Sequence, residues 1–94
     1  MKFDRKNQRI FLDRIRTILL EKWDPLGVGE NPKLCDEYDA YLNGIVRLMQ
    51  EASTTREMMS NYLEHVEHNE IGLPGDPVKR SLAVEAIIEL MKQG

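Results

Sequence analysis

The chain has 94 residues, of which 41% are hydrophobic and 31% are charged, and its formal net charge is −3. A chain of this length forms one modest core, so we expect a single domain over residues 1–94 with no separate cofactor domain. No signal peptide is recognisable, and no apolar stretch reaches the roughly 20 residues that a membrane span needs. The single cysteine excludes an internal disulfide bond. These features predict a cytoplasmic protein that does not associate with membranes.

The first predicted helix runs from about Arg5 to Lys22, with Asp4 as its N-cap. Its apolar side chains recur at helical spacing, and they are Phe11, Leu12, Ile15, Ile18 and Leu19. Pro25 ends the helix, because the residue before a proline is disfavoured in the α region.

A loop over 24–32 follows, and its two prolines and two glycines predict a shaped connection. The second segment covers about residues 36–51 with one apolar stripe, which consists of Tyr38, Tyr41, Leu42, Ile45 and Met49. Asn43 and Gly44 interrupt this stripe, since a glycine inside a helix costs about 1 kcal/mol relative to alanine and the pair favours turns. We therefore expect a kinked or broken helix, with a short helix or turn over 36–42.

The third segment begins at a capping box formed by Thr54 and Glu57, and Gly72 is its predicted left-handed C-terminal cap. The fourth begins with Asp76 as N-cap and Pro77 as the first helical residue. Its inward face is predicted to consist of Ala83, Val84, Ile87, Leu90 and Met91, flanked by Leu82 and Ile88. Four short amphipathic segments must share one core, which predicts an all-α bundle of three to four short helices.

The charge is distributed unevenly along the chain. Residues 1–22 carry seven basic and three acidic side chains, whereas the remainder carries six basic and thirteen acidic ones. We expect the basic first helix to pack against acidic neighbours, and a basic patch for an acidic partner is the alternative. The acidic balance argues against nucleic-acid binding, which requires clustered positive charge.

No residue pattern points to catalysis, a cofactor or a metal. His65 and His68 are three residues apart among glutamates, a spacing that fits no zinc-protease or di-iron motif, so a solvated, acid-flanked helix face is expected. Acidic neighbours disfavour the thiolate of Cys35. Acyl carrier proteins attach their prosthetic group to the serine of an Asp-Ser-Leu site at the start of a helix. Ser81 instead follows an arginine and lies inside the predicted fourth helix, so a carrier role is not expected. We therefore assign no catalytic, cofactor-binding or metal-binding residue.

Two short stretches are unusual, Trp-Asp-Pro-Leu-Gly-Val at 23–28 and Asp-Glu-Tyr-Asp-Ala-Tyr at 36–41. Acidic side chains beside tyrosine and tryptophan suit recognition of a basic partner. The candidate interaction surface consists of Trp23, Asp24, Asp36, Glu37, Tyr38, Asp39 and Tyr41. In the structural alternative the tryptophan closes the end of the bundle, the aspartate at 24 caps the next turn, and the tyrosines pack with their hydroxyls at the rim.

These two stretches, with the Ile-Gly-Leu-Pro turn at 71–74, resemble a family of short bacterial proteins of unknown function, similar to the YugE-like proteins of bacilli. The resemblance covers about residues 12–90. It implies a small helical fold and a bacterial cytoplasmic origin, and it brings no activity or functional residue to this chain.

The favoured hypothesis is therefore a non-enzymatic protein–protein interaction module, and an immunity-like role against a bacterial nuclease toxin is its most specific form. The alternative is a small enzyme or ligand-binding protein with a pocket near Trp23, Asp24, Asp36 and Asp39. The partner is expected to be another protein of unknown identity. A homodimer is compatible with the methionines, which either fill core gaps or supply adaptable apolar surface, namely Met49, Met58, Met59 and Met91.

Overall fold

The computed structural model describes residues 5–34, 36–51 and 53–93. These ranges hold four α-helices and no strand, so the predicted all-α fold is confirmed. The helices are α1 (Arg5–Ile18), α2 (Leu42–Gln50), α3 (Arg56–His65) and α4 (Pro77–Gln93). Asp4 and Cys35 lie outside the described residues, and the statements about them stay predictions.

Two helices continue into wider π-helical turns, α1 over Leu19–Trp23 and α3 over Val66–Ile71. Each turn ends on a residue in the left-handed conformation, Asp24 with φ 33° and Gly72 with φ 82°. The predicted glycine cap is therefore confirmed, whereas the left-handed aspartate was not predicted. A π-turn adds a residue to the helical repeat and changes the direction of the side chains that follow, which decides what the ends of α1 and α3 contact.

The second segment begins as a short 3-10 turn over Asp39–Tyr41 and then becomes α2. The interruption thus falls before the Asn43-Gly44 pair, and both residues lie inside the continuous helix. Gly44 is accommodated there because α3 packs closely, and a Cβ at this position would overlap the hydroxyl and the ring of Tyr62. The glycine serves a close helix approach and does not break the helix.

The cap of α3 differs from the predicted one by a single residue. Thr55 is the N-cap, and its hydroxyl accepts a hydrogen bond from the Met58 amide at 3.1 Å. The predicted capping box of Thr54 with Glu57 is therefore wrong. The Thr54 hydroxyl instead donates to the carbonyl of Leu48 at 2.5 Å and ties α3 to the end of α2.

The start of α4 confirms the prediction made for it. The helix begins at Pro77, and an oxygen of Asp76 accepts a hydrogen bond from the Val78 amide at 2.9 Å. The chain enters α4 beside Trp23, whereas the far end of α4 lies beside the middle of α1. The two helices are consequently antiparallel.

The core combines apolar side chains from all four helices and both π-turns. Met49 and Met59 are buried in it, which supports the view that they fill core gaps, while Met58 is exposed. None of the described helices has both the length and the apolar character needed to cross a membrane.

Candidate functional site

A buried ion pair lies where the two π-turns meet. Glu67, which is 0% exposed, accepts a hydrogen bond from the Trp23 indole nitrogen at 2.7 Å. Its other oxygen accepts from Arg80 of α4, at 2.9 Å from Nε and 2.7 Å from Nη2. These contacts join the ends of α1 and α3 to α4.

Burial of Glu67 overturns part of the sequence interpretation, which placed it on a solvated helix face. The π-turn directs its carboxylate inward, and only a glycine fits opposite, because a Cβ on Gly75 would overlap that carboxylate. The hydrogen bond to Glu67 raises the pKa of Arg80 and outweighs the opposing effect of burial. A charge that is fully paired in this way holds the fold together and offers no free group to a substrate.

Asp24 organises the loop that follows α1. Its carboxylate accepts hydrogen bonds from the amides of Val28 at 2.8 Å and Gly29 at 2.9 Å, and from the Tyr38 hydroxyl at 2.7 Å. The Tyr38 hydroxyl in turn accepts from the Leu26 amide at 3.0 Å. The loop is therefore fixed to the second segment through two side chains.

The ionisation of this pair follows from its surroundings. Burial alone would raise the pKa of Asp24, but the hydrogen bonds from Tyr38 and from the two loop amides lower it overall. Burial, together with the hydrogen bond to Asp24, raises the pKa of Tyr38 above its ordinary value. The pair therefore consists of a carboxylate and a neutral phenol, and the carboxylate is already engaged by three donors.

Trp23 and Tyr38 are each 1% exposed, and their ring centroids lie 5.2 Å apart. Tyr41 is half-buried against the indole in an edge-on arrangement at 6.3 Å. Because the buried rings of Trp23 and Tyr38 offer no surface to a partner, the prediction that these two residues belong to the interaction surface is corrected. Their position matches the structural alternative, in which Trp23 closes one end of the bundle.

The acidic residues of 36–41 divide into two kinds. Asp39 is half-buried and bound by Arg16 of α1 through two hydrogen bonds of 2.8 and 2.9 Å. The hydrogen bond to Asp39 raises the pKa of Arg16 against the effect of burial. Asp36 and Glu37 are exposed, and their carboxylates bond to no other described residue. The basic first helix thus packs on an acidic neighbour, as predicted, and two carboxylates remain accessible.

A pocket of about 270 Å³ lies beside the closed end of the bundle. It is lined by Trp23, Asp24, Pro25, Leu73, Pro74, Gly75, Asp76 and Lys79. Asp36 and Asp39 do not line it, so this pocket brings together only Trp23 and Asp24 of the four residues named in the ligand-pocket alternative. Both aspartates that line it already accept backbone hydrogen bonds, one from the loop and one from α4.

The two histidines do not act together. The Nδ1 atom of His65 lies 2.9 Å from the Asn69 amide nitrogen, whereas Nε2 of His68 lies 3.0 Å from the Pro74 carbonyl oxygen. In the described part of the chain, no group of three or more histidine, cysteine or acidic residues is arranged to hold a metal ion.

A shallow groove of about 500 Å³, which was not predicted from the sequence, lies between α1 and α4. It is lined by Asp13, Arg14, Thr17, Ile18, Ala86, Glu89 and Leu90. One turn before Ala86, the side chain of Leu82 is 53% exposed, although it was predicted to flank the inward face. The signal in the sequence is a second apolar row on α4, in which residues 78, 82 and 86 recur every four positions.

Of the predicted surface, the structure thus leaves Asp36 and Glu37 accessible, Asp24, Asp39 and Tyr41 half-buried, and the other two residues inside the core. Comparisons with protein-family models, with curated proteins and with solved structures found no match. The resemblance to the YugE-like family therefore stays a prediction.

Proposed function

We propose that this protein is a non-enzymatic interaction module of the bacterial cytoplasm, and that it binds a basic protein through the exposed carboxylates of Asp36 and Glu37. The observation that carries the proposal is that both carboxylates are exposed on a segment fixed to the core at adjacent positions. An immunity-like role is the specific form, in which the carboxylates occupy the phosphate-binding cleft of a nuclease toxin.

The rigidity of the segment supports this role. Directly after the two carboxylates, Tyr38 is buried and bonded to Asp24, and Asp39 is held by Arg16. Functional residues are commonly placed on loops that a rigid scaffold positions. A segment whose backbone is already held at Tyr38 and Asp39 loses little backbone conformational entropy on binding, so a larger part of the interaction energy contributes to affinity.

The charge distribution supports a basic partner. Beyond residue 22 the chain carries thirteen acidic and six basic side chains. Such an excess steers a basic protein toward the surface and raises its association rate at low ionic strength. A nuclease cleft attracts the phosphate groups of its substrate. Exposed carboxylates on a fixed segment can therefore compete with phosphate for that cleft.

Calorimetric titration against small basic nuclease toxins, beginning with any encoded beside the gene, tests the proposal. We expect a complex, and the double substitution Asp36→Lys and Glu37→Lys should weaken it roughly a hundredfold, which corresponds to about 2.7 kcal/mol. The matched control is Glu57→Lys with Glu70→Lys, which makes the same change in net charge at exposed positions on α3 and its π-turn.

The control pair separates local recognition from overall charge. If both double variants lose affinity equally, the segment has no specific role and only net charge matters. Absence of any complex with basic toxins at micromolar concentrations would contradict the immunity-like role. Circular dichroism should show unchanged helix content in both variants, because all four side chains lie on the surface.

A further inference from the structure

A second groove, of about 420 Å³, runs between α2 and α3, and neither Asp36 nor Glu37 lines it. We call it the α2–α3 groove, and its lining consists of Gly44, Arg47 and Leu48 from α2 and of Met58, Asn61 and Tyr62 from α3. Leu48 and Tyr62 are half-buried, whereas Met58 is 37% exposed, so each helix supplies an apolar wall. Apolar side chains with a few polar groups among them are typical of small-ligand sites.

Among the described residues that line the α2–α3 groove, Arg47 alone carries a charge. It is exposed, and its guanidinium pairs with no other described residue. Burial and the charge of Glu70 raise the pKa of the Tyr62 phenol, whereas the charge of Arg47 lowers it, so the guanidinium lies near the phenol. Glu70 does not line the groove. An unpaired cation beside apolar side chains favours an anion that carries an apolar body.

The length of the groove distinguishes a compact ligand from a peptide helix. On each helix the lining residues fall within about one turn, over residues 44–48 of α2 and 58–62 of α3. A helix that docks in a groove uses anchors spread over two turns, at positions i, i+3, i+4 and i+7. The volume of about 420 Å³, in contrast, lies within the roughly 300–1,000 Å³ of small-molecule sites. The occupant that fits both properties is a single small molecule.

The charge balance identifies the anionic group. One guanidinium neutralises one negative charge, which a carboxylate carries, whereas a phosphate group on a side chain carries about −1.5 to −2 at neutral pH. We propose that the α2–α3 groove binds a small molecule with one carboxylate and an apolar body. The carboxylate accepts hydrogen bonds from Arg47, and the Asn61 amide, which bonds to no other described residue, is a further donor. The apolar body packs against Leu48, Met58 and Tyr62, where the flexible methionine side chain adapts to its shape.

Titration of the full chain with phenylpropionate, followed by NMR, tests the site. We expect saturable shifts with a Kd of about 1 mM or below, which a ligand of this size can reach. In a spectrum of methyl-labelled methionines the Met58 signal should move, while the signals of the buried Met49 and Met59 should stay in place. The neutral analogue phenylpropionamide has nearly the same shape and should bind about tenfold more weakly, because it lacks the charge that pairs with Arg47.

Two substitutions locate the binding. Arg47→Gln should weaken the binding of phenylpropionate about tenfold and leave that of phenylpropionamide unchanged. The matched control Arg9→Gln, at an exposed position of α1, should affect neither ligand. Met58→Glu should abolish binding, because it places a carboxylate in the groove with the guanidinium. Circular dichroism should show unchanged helix content in all three variants, since each of these side chains is exposed.

The outcomes that contradict the proposal are specific. Equal affinities for the acid and the amide, or an unchanged affinity of Arg47→Gln for the acid, would overturn the pairing with Arg47. The groove would not be a site for apolar carboxylates if phenylpropionate, octanoate and indoleacetate all left the Met58 signal in place at about 10 mM. Binding of a basic protein by Asp36 and Glu37 is measured separately, so failure of either proposal leaves the other standing.

Discussion

At the scale of single residues, Glu67 shows how one carboxylate in a row of three differs from its neighbours. Glu64, Glu67 and Glu70 follow one another at three-residue spacing, and nothing local distinguishes them. Only Glu67 is fully buried, where it meets Arg80 and Trp23. Its burial requires the π-turn, the arginine thirteen residues later and a glycine opposite, and none of these is visible as a pattern around residue 67.

Removal of this carboxylate should expose its energetic role. Glu67→Ala leaves the Arg80 guanidinium buried without its main partner, so we expect a loss of about 3–5 kcal/mol in the free energy of unfolding. Glu64→Ala is the matched control, because this half-exposed carboxylate lies 3.5 Å from the same arginine. Surface pairs contribute at most about 1 kcal/mol. Urea denaturation measures both, and equal losses would contradict the assigned role of Glu67.

Asp24 should make stability depend on acid pH. Its folded pKa lies below the ordinary value of 3.8, so its contribution is complete above that pH and is lost as the pH falls through the folded pKa. Asp24→Asn keeps a residue that tolerates the left-handed backbone but removes the charged acceptor. We expect a loss of about 1–3 kcal/mol at neutral pH. The difference from the wild type should shrink in denaturation curves recorded at successively lower pH, and a constant difference would contradict this prediction.

At the scale of secondary-structure elements, local chemistry predicts some boundaries and misses others. The start of α4 could be predicted because the Asp76 side chain accepts a hydrogen bond from an amide of the first turn, and because Pro77, the first helical residue, has no amide hydrogen that would need a partner. The start of α3 could not be placed to the residue, since two adjacent threonines compete for it. The carbonyl of Leu48 engages Thr54 and leaves Thr55 as the cap. The π-turns depend on contacts between helices, so their formation lies beyond local patterns.

Gly44 in α2 provides a test in which packing opposes helix propensity. Replacing glycine by alanine inside a helix ordinarily stabilises by about 1 kcal/mol. Here the new Cβ would lie only 2.6 Å from Cζ of Tyr62, so we expect Gly44→Ala to destabilise by about 1–3 kcal/mol. In a Tyr62→Leu background the same substitution should become neutral or stabilising, because the ring is absent. Thermal unfolding of the four proteins measures the coupling, and additive effects would contradict the steric explanation.

At the scale of the whole molecule, the sequence predicts the helical bundle better than it predicts the exposed surface. Helical periodicity and caps indicate four helices, and charge asymmetry anticipates the contact between Arg16 and Asp39. By contrast, the aromatic and acidic motifs do not indicate whether their side chains face a partner or the core. Trp23 and Tyr38 face the core because the loop between them folds back through Asp24.

The position of Trp23 makes it a reporter of how the whole molecule unfolds. The only tryptophan of the chain contacts Tyr38 and Tyr41 of the second segment and Glu67 of the second π-turn, so two separate segments pack against its ring. Because α1, α3 and α4 share one core at this point, we expect a single cooperative transition. Tryptophan fluorescence and far-ultraviolet circular dichroism should give the same urea midpoint, with a slope of about 1–3 kcal/mol/M. A fluorescence transition at lower urea than the loss of helix would instead show that the closed end of the bundle opens before the helices unfold.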